Sequence, residues 1–272
     1  LWIIIGIFAE LFLHSKSRKF ASSWRYFIAQ IGLGLALLLA FQRMYLGLQG
    51  FVSFQLFAVN PTSNILNVVI LVMGLLLLIL NQTQQKSFSN EEKIGFLSVL
   101  SGALLTSVSY HWLSIYLSLE LMSLGTYLLV GIRKDENGVR ASLPYVLFGM
   151  ATSAIFLYGV SLVYGMSGTF ALEGDAMVRA LSSQNPWLVG TALALASSGI
   201  LFKMTWAPFH PWNPDALETL PGSWMSWMSI APKIAVAGLG LRIIHLFPPQ
   251  TLNVVAILAI VTLLVGNFGA LT

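Results

Sequence analysis

Nine apolar runs separated by short polar stretches organise this chain: 1–13, 26–48, 62–82, 94–109, 112–132, 143–167, 187–207, 223–247 and 250–272. A helix needs about 20 apolar residues to cross ~30 Å of hydrocarbon. All runs but the first approach that length, which predicts eight complete or nearly complete crossings and one shortened one. Period-2 alternation of polar and apolar residues is absent, which argues against a transmembrane barrel. The expected fold is all-α, a polytopic transmembrane helical bundle of eight to nine helices. The longest stretch between runs, 168–186, is too short to fold a nucleotide-binding or redox domain. Gly149, Ser153, Gly159, Gly165 and Gly168 read as packing positions where neighbouring backbones approach closely.

Composition agrees with a bilayer as solvent. Of 272 residues, 57% are apolar and only 9% charged, whereas a soluble domain carries about 25% charged residues. Mean hydropathy is +0.80. The net charge of +4 does not signal nucleic-acid binding, because the basic residues lie in short loops rather than along one face. There is no cysteine, which excludes disulfides and cysteine-ligated iron–sulfur clusters in this chain. The histidines, His14, His111, His210 and His245, lack metal-ligand spacing.

Nine of the fourteen Lys and Arg residues fall in alternate loops: Lys16, Arg18, Lys19 and Arg25, then Lys86 and Lys93, then Arg133, Lys134 and Arg140. The positive-inside rule places these loops inside and the N-terminus outside. The loop 213–222 would also lie inside although it carries Asp215 and Glu218, since carboxylates count little in that rule. The positive charge follows the first apolar run instead of preceding it, which argues against a signal peptide. The chain begins at Leu1 and stops at Thr272 in an apolar run, so both ends are expected to be cut from a longer protein.

Against this background, Glu120, Lys203 and Lys233 are ionisable residues inside otherwise lipid-soluble runs. Each such charge costs about 2.5–3.5 kcal/mol at a helix centre even on the lenient insertion scale, and such residues mark ion paths, proton relays or counter-ions. Tyr116 and Ser123 share the helical face of Glu120. Ser226 and Ser229 precede Lys233 by seven and four residues, and Pro232 frees a carbonyl one turn earlier. Lys203 is followed by Pro208, Pro211 and Pro214, which forbid a continuous helix. Broken helices in membranes occur where the freed backbone is buried or lines a cavity. His210, just past the break, is a candidate relay between Lys203 and the inside. Static readings compete: a packing carboxylate for Glu120, an ion pair for Lys233, a snorkelling lysine for Lys203 and a satisfied structural donor for His210.

Four segments occur in order: Leu117–Leu124 around Glu120, Tyr145 through Gly159 to Gly168, Phe202-Lys203 through Pro208 and His210 to Asp215, and Ser229–Lys233. This order resembles subunit N, the subunit 2 type, of NADH:quinone oxidoreductase (respiratory complex I), over about Lys16 to Thr272. The resemblance implies an antiporter-like fold with two inverted repeats of five helices, each with a broken helix. Residues 1–93 would be N-terminal helices, 94–247 the first repeat and 248–272 the start of the second. It also implies proton translocation through Glu120, Lys203 and Lys233 in a bacterial inner membrane, driven by quinone reduction elsewhere. NADH, FMN, iron–sulfur clusters and quinone would belong to partner subunits, and the chain's own partners would be other membrane-arm subunits, lipid and protons. The sequence departs from the family at Pro144, where a lysine normally precedes the tyrosine. It departs again along Glu218–Trp224, where a Gly-Ala-Pro run is usual. Rival readings are a subunit of a multi-subunit cation/proton antiporter or membrane-bound hydrogenase, and a non-conducting structural subunit.

Overall fold

The computed structural model of the chain describes residues 20–53, 55–84, 88–133, 135–172 and 175–269. The first apolar run, His14, Lys16, Arg18, Lys19, Lys86 and Lys134 lie outside the described residues. The elements are α1 (Phe20–Tyr45), β1 (Gly50–Val52), β2 (Phe57–Val59), α2 (Pro61–Thr83), α3 (Asn90–Val108), α4 (Trp112–Val130) and α5 (Glu136–Ser167). They continue with α6 (Asp175–Ser182), α7 (Pro186–Ala196), α8 (Ser198–Lys203), α9 (Asn213–Glu218), α10 (Gly222–Ile243) and α11 (Pro249–Gly269). Helices thus stand at each of the eight runs that fall within the described residues, the seventh in two pieces. Five are long and apolar enough to cross a membrane on those criteria alone, at Pro61–Thr83, Trp112–Val130, Gly138–Ser167, Gly222–Leu246 and Pro249–Gly269.

Local chemistry sets the boundaries. Asn60 and Ser63 form a capping box at the start of α2, with Pro61 in the first turn. Ser89 and Glu92 do the same for α3. Asp135 caps α5 through the backbone N–H of Gly138 at 2.8 Å. Asn185 followed by Pro186 starts α7. Each device satisfies N–H groups that have no partner within the helix. Gly168 ends α5 in the left-handed conformation, φ 69°, which glycine adopts without strain.

Two features depart from a purely helical reading. An antiparallel hairpin pairs Gly50 with Val59, Phe51 with Ala58 and Val52 with Phe57. The stretch 168–186 also folds a short amphipathic helix, α6, whose Met177 and Leu181 are buried.

The α3 and α4 helices form the tightest pair. A methyl group at Gly102 would come within 2.6 Å of the Met122 backbone nitrogen, and one at Gly125 within 2.8 Å of the Gly95 carbonyl. With no hydrophobic force between helices in lipid, such close backbone approach supplies the dispersion that holds them. Helix α10 packs across α2 and α3, while α5 lies along α7 and α8.

The hairpin end is tied by polar bonds. Ser114 and the Tyr110 N–H both donate to the Leu56 carbonyl, at 2.8 and 3.1 Å. Arg242 donates to the carbonyls of Ser107 and Ser109 and stands 4.4 Å from the Tyr110 ring. At the opposite end, the Trp224 indole donates to Glu92 at 2.9 Å, joining the start of α10 to the start of α3.

Candidate functional site

The site begins where α7 and α8 break. Ser197 separates them with φ −94° and ψ −3°, and its hydroxyl bonds back to the Leu193 carbonyl at 2.7 Å. Ser198 donates to the Thr152 carbonyl at 3.0 Å, fastening the break to α5. Gly159 of α5 lies flush against Ala196, where a side chain would strike backbone. The helix then stops at Lys203. Thr205 takes a positive φ of 55°, and the prolines at 208 and 211 prevent resumption until α9, which accepts Pro214 in its first turn. The N–H groups of Met204, Thr205 and Trp206 close onto the carbonyls of Ile200, Phe202 and Leu201 at 2.9, 3.1 and 2.9 Å. The broken end therefore leaves these backbone groups paired, as the absence of water in a bilayer requires.

Lys203 is 4% exposed. Its ammonium donates to Thr126 Oγ1 at 3.1 Å on α4 and to the Tyr145 hydroxyl at 3.2 Å on α5. The rings of Tyr127, Tyr145 and Phe202 lie 5.6, 5.6 and 5.8 Å from Nζ, inside cation–π range. Trp212, from the loop past the break, stacks on Tyr145 with ring centres 4.1 Å apart and planes 15° apart. Among the described residues no carboxylate comes within 4.0 Å of this lysine. Lys203 does not snorkel.

Glu120, six residues before Thr126 and so about 9 Å along α4, is half-buried. Ser153 of α5 donates to it. Glu120 and Lys203 face one small cavity of about 10 Å³, shared with Ser123, Tyr127 and Ser153. That space suits about one water. Tyr116 and Ser123 line the same cavity, so the expected polar face of Glu120 is present.

The other two candidates stand apart from this cavity. Lys233 is half-buried on α10 and makes no hydrogen bond or ion pair to any described residue. Ser226, expected on its polar stripe, is exposed and bonds back to the Gly222 carbonyl. His210 has a buried Nδ1 with no partner among the described residues, so that atom is not a satisfied structural donor.

Sequence reasoning missed Thr126, Tyr127 and Tyr145 and read Ser153 as packing. A signal existed for two of them, since 120, 123 and 127 repeat at helical spacing, with 126 alongside. Tyr145 opens one of the four ordered segments, but nothing there marks it as a partner of Lys203, because that contact comes from α5 lying across α8. Pro144 sits inside α5 immediately before Tyr145. The chain contains no cysteine, and among the described residues no three His, Asp or Glu side chains gather to hold a metal ion.

Residues 109–272 match the transmembrane (TM) family described as NADH:quinone oxidoreductase/Mrp antiporter. The chain belongs to this family. Relatives within it include "NADH-quinone oxidoreductase subunit N 2" of Rhizobium meliloti (strain 1021), 39% identical over 67% of this chain and 39% of that protein. "NAD(P)H-quinone oxidoreductase subunit 2" of Prochlorococcus marinus (strain MIT 9313) is 32% identical over 99% of this chain and 52% of that protein. The chain thus spans about half the length, or less, of these curated relatives. Among solved structures, a chain of respiratory complex I from Thermus thermophilus with bound aureothin superposes with a TM-score of 0.82 at 27% identity. That match covers 100% of this chain and 58% of the other. A chain of the Mrp complex from Dietzia sp. DQ12-45-1b shares the fold at TM-score 0.70 and 20% identity, covering 89% of this chain and 47% of that one.

Proposed function

We propose that this chain is the proton-translocating part of a membrane-arm subunit of NADH:quinone oxidoreductase, of the subunit N type. Quinone reduction in partner subunits, which carry the redox groups, drives protons through Glu120, Lys203 and Lys233. The observation that carries this reading is Lys203 itself. It is an enclosed lysine held by two neutral hydroxyls and three rings, with Glu120 across a one-water cavity instead of in contact. A static ion pair would bring the carboxylate against the ammonium. Hydroxyl partners serve both the ammonium and the neutral amine, so the lysine can release and regain a proton without unmaking its surroundings. His210, past the break, is the candidate relay toward the inside, and the N-terminus lies outside. Residues 94–247 form the first five-helix repeat and 248–272 open the second.

The deciding experiment is Lys203→Arg in the full subunit of the assembled complex, with proton pumping in vesicles measured against quinone reduction. Guanidinium keeps the charge but stays protonated above about pH 12. The relay reading expects Arg to abolish pumping as fully as Ala does. Full pumping by an assembled Lys203→Arg complex sinks it and leaves Lys203 a structural cation. The family itself spans both types, and the relatives named as quinone oxidoreductase subunits favour this reading over a cation/proton antiporter subunit.

A further inference from the structure

An ammonium group has three hydrogens in tetrahedral array, and at Lys203 two of them are spoken for. Thr126 Oγ1 donates its only proton to the Ser123 carbonyl at 2.9 Å. It is therefore the acceptor in its 2.7 Å contact with the Tyr145 hydroxyl and in its 3.1 Å contact with Nζ. Tyr145 in turn uses its proton on Thr126 and accepts from Nζ at 3.2 Å. The three groups form a closed triangle with both hydroxyl protons assigned and one ammonium hydrogen left over. Neither Thr126 nor Tyr145 borders the small cavity, whereas Lys203 does, together with Glu120, Ser123 and Ser153. Lys203 therefore borders the cavity that its two hydroxyl partners do not, and the third ammonium proton is the one that neither hydroxyl takes. On the far side Tyr145 is 1% exposed and covered by Trp212 and Phe202.

The geometry points to Thr126 and Tyr145 as a two-point clamp that aims the one exchangeable proton of Lys203 into the Glu120 cavity. On loss of that proton the amine keeps both donations, and its lone pair faces the same cavity. Proton exchange at Lys203 then runs through the Glu120 side. The clamp rests on the relay proposed above and adds a positioning pair and a port to it.

The test uses the assembled complex in vesicles, with pumping per quinone reduced as the readout. Tyr145→Phe keeps the ring and its stack on Trp212 but removes the hydroxyl. Thr126→Val keeps the volume and removes the other acceptor. Both are expected to slow translocation about tenfold, the scale of a hydrogen bond to a charged group. Thr126→Ser restores the hydroxyl without the methyl and is expected to recover pumping over Thr126→Val. A packing role predicts the reverse order, with Val tolerated and Ser impaired. Gly199→Ala tests the port. A methyl there meets Phe156 and Leu119 at 3.4 and 3.5 Å, ordinary contacts, yet adds bulk to the cavity wall. Pumping is expected to fall with assembly intact.

Normal pumping in Tyr145→Phe and Thr126→Val, beside a dead Lys203→Ala, overturns the clamp and leaves the relay standing. Unchanged pumping in Gly199→Ala overturns the port. Normal pumping by Lys203→Ala removes the relay, and the clamp falls with it.

Discussion

Lys203 ends a broken helix and reaches into a site closed by α4, α5 and the loop that carries Trp212. Lys233 lies midway along the continuous α10, half-buried and without a partner among the described residues. Both are lysines in apolar runs beside proline, and in sequence they look alike. The difference lies in what surrounds each. The break at Lys203 brings the end of α8 against α4 and α5, whose hydroxyls and rings replace a counter-ion. Pro232 leaves α10 continuous, so its lysine projects from the helix wall and takes no hydrogen bond or ion pair from the described residues. A lysine that far from both helix ends cannot snorkel easily.

The comparison breaks most sharply if removing each lysine costs the fold the same. Lys203→Ala empties an enclosed position and takes the ammonium away from the Thr126–Tyr145 pair. By analogy with large-to-small core changes it should lower stability by about 2–4 kcal/mol. Lys233→Ala removes an unpartnered charge from an apolar setting and should be neutral or mildly stabilising. Unfolding of the purified subunit in detergent micelles, by denaturant titration, measures both. Equal losses would mean that Lys233 is also held by a built site.

This contrast marks how far the sequence could be read. The spans were legible because apolar length is decisive in lipid, whereas α3 and α5 begin at Asn90 and Glu136, ahead of the apolar runs at 94 and 143, because Ser89 and Asp135 cap polar first turns. The stop after Lys203 was legible from three prolines. The upstream break at Ser197 was not, since serine interrupts a helix only when tertiary bonds such as Ser198 to Thr152 support it. The hairpin and α6 escaped because three-residue strands and an eight-residue helix are too short for periodicity to separate from loop. At the site, Glu120 and Lys203 declared themselves as misplaced charges. Their hydroxyl partners did not, because Ser, Thr and Tyr are ordinary in membrane helices and only the packing of α5 on α8 selects Tyr145.

A glycine pair sharpens the comparison at intermediate cost. Gly149 of α5 leaves room for the Tyr127 hydroxyl, and a methyl there would lie 2.7 Å from Tyr127 Cζ. Gly149→Ala must push aside one ring of the Lys203 cage, at about 1–3 kcal/mol, and pumping should fall with it. Gly240, on α10 beyond Lys233, has nothing within 4 Å of such a methyl. Gly240→Ala should hold or raise stability by up to about 1 kcal/mol through helix propensity, with pumping unchanged. Melting temperature and pumping measured together decide this. If Gly149→Ala lowers stability but not pumping, the Tyr127 ring belongs to the packing of the cage and not to its work.

The smallest effect concerns how the two regions are anchored at their helix starts. The α5 helix that carries Tyr145 begins at Asp135, which accepts from the Gly138 N–H at 2.8 Å and from Arg133 at 2.7 Å. These bonds, the backbone one first, hold its carboxyl below the ordinary carboxylate range. The α10 helix that carries Lys233 begins at Pro221 with no side-chain cap. A carboxyl held low in the folded state stabilises above its unfolded value, near pH 4, and that contribution fades as pH falls through the folded value below it. Wild type should therefore lose melting temperature from about pH 4 downward in a component that Asp135→Asn lacks, because the amide still caps Gly138 but does not titrate. Asp135→Ala should lower the melting temperature at neutral pH more than Asp135→Asn does. Since Asp135 is exposed and its bridge to Arg133 is solvent-screened, both shifts should be small and should shrink further in high salt. Identical acid profiles for wild type and Asp135→Asn would show that the Asp135 charge adds nothing to the start of α5.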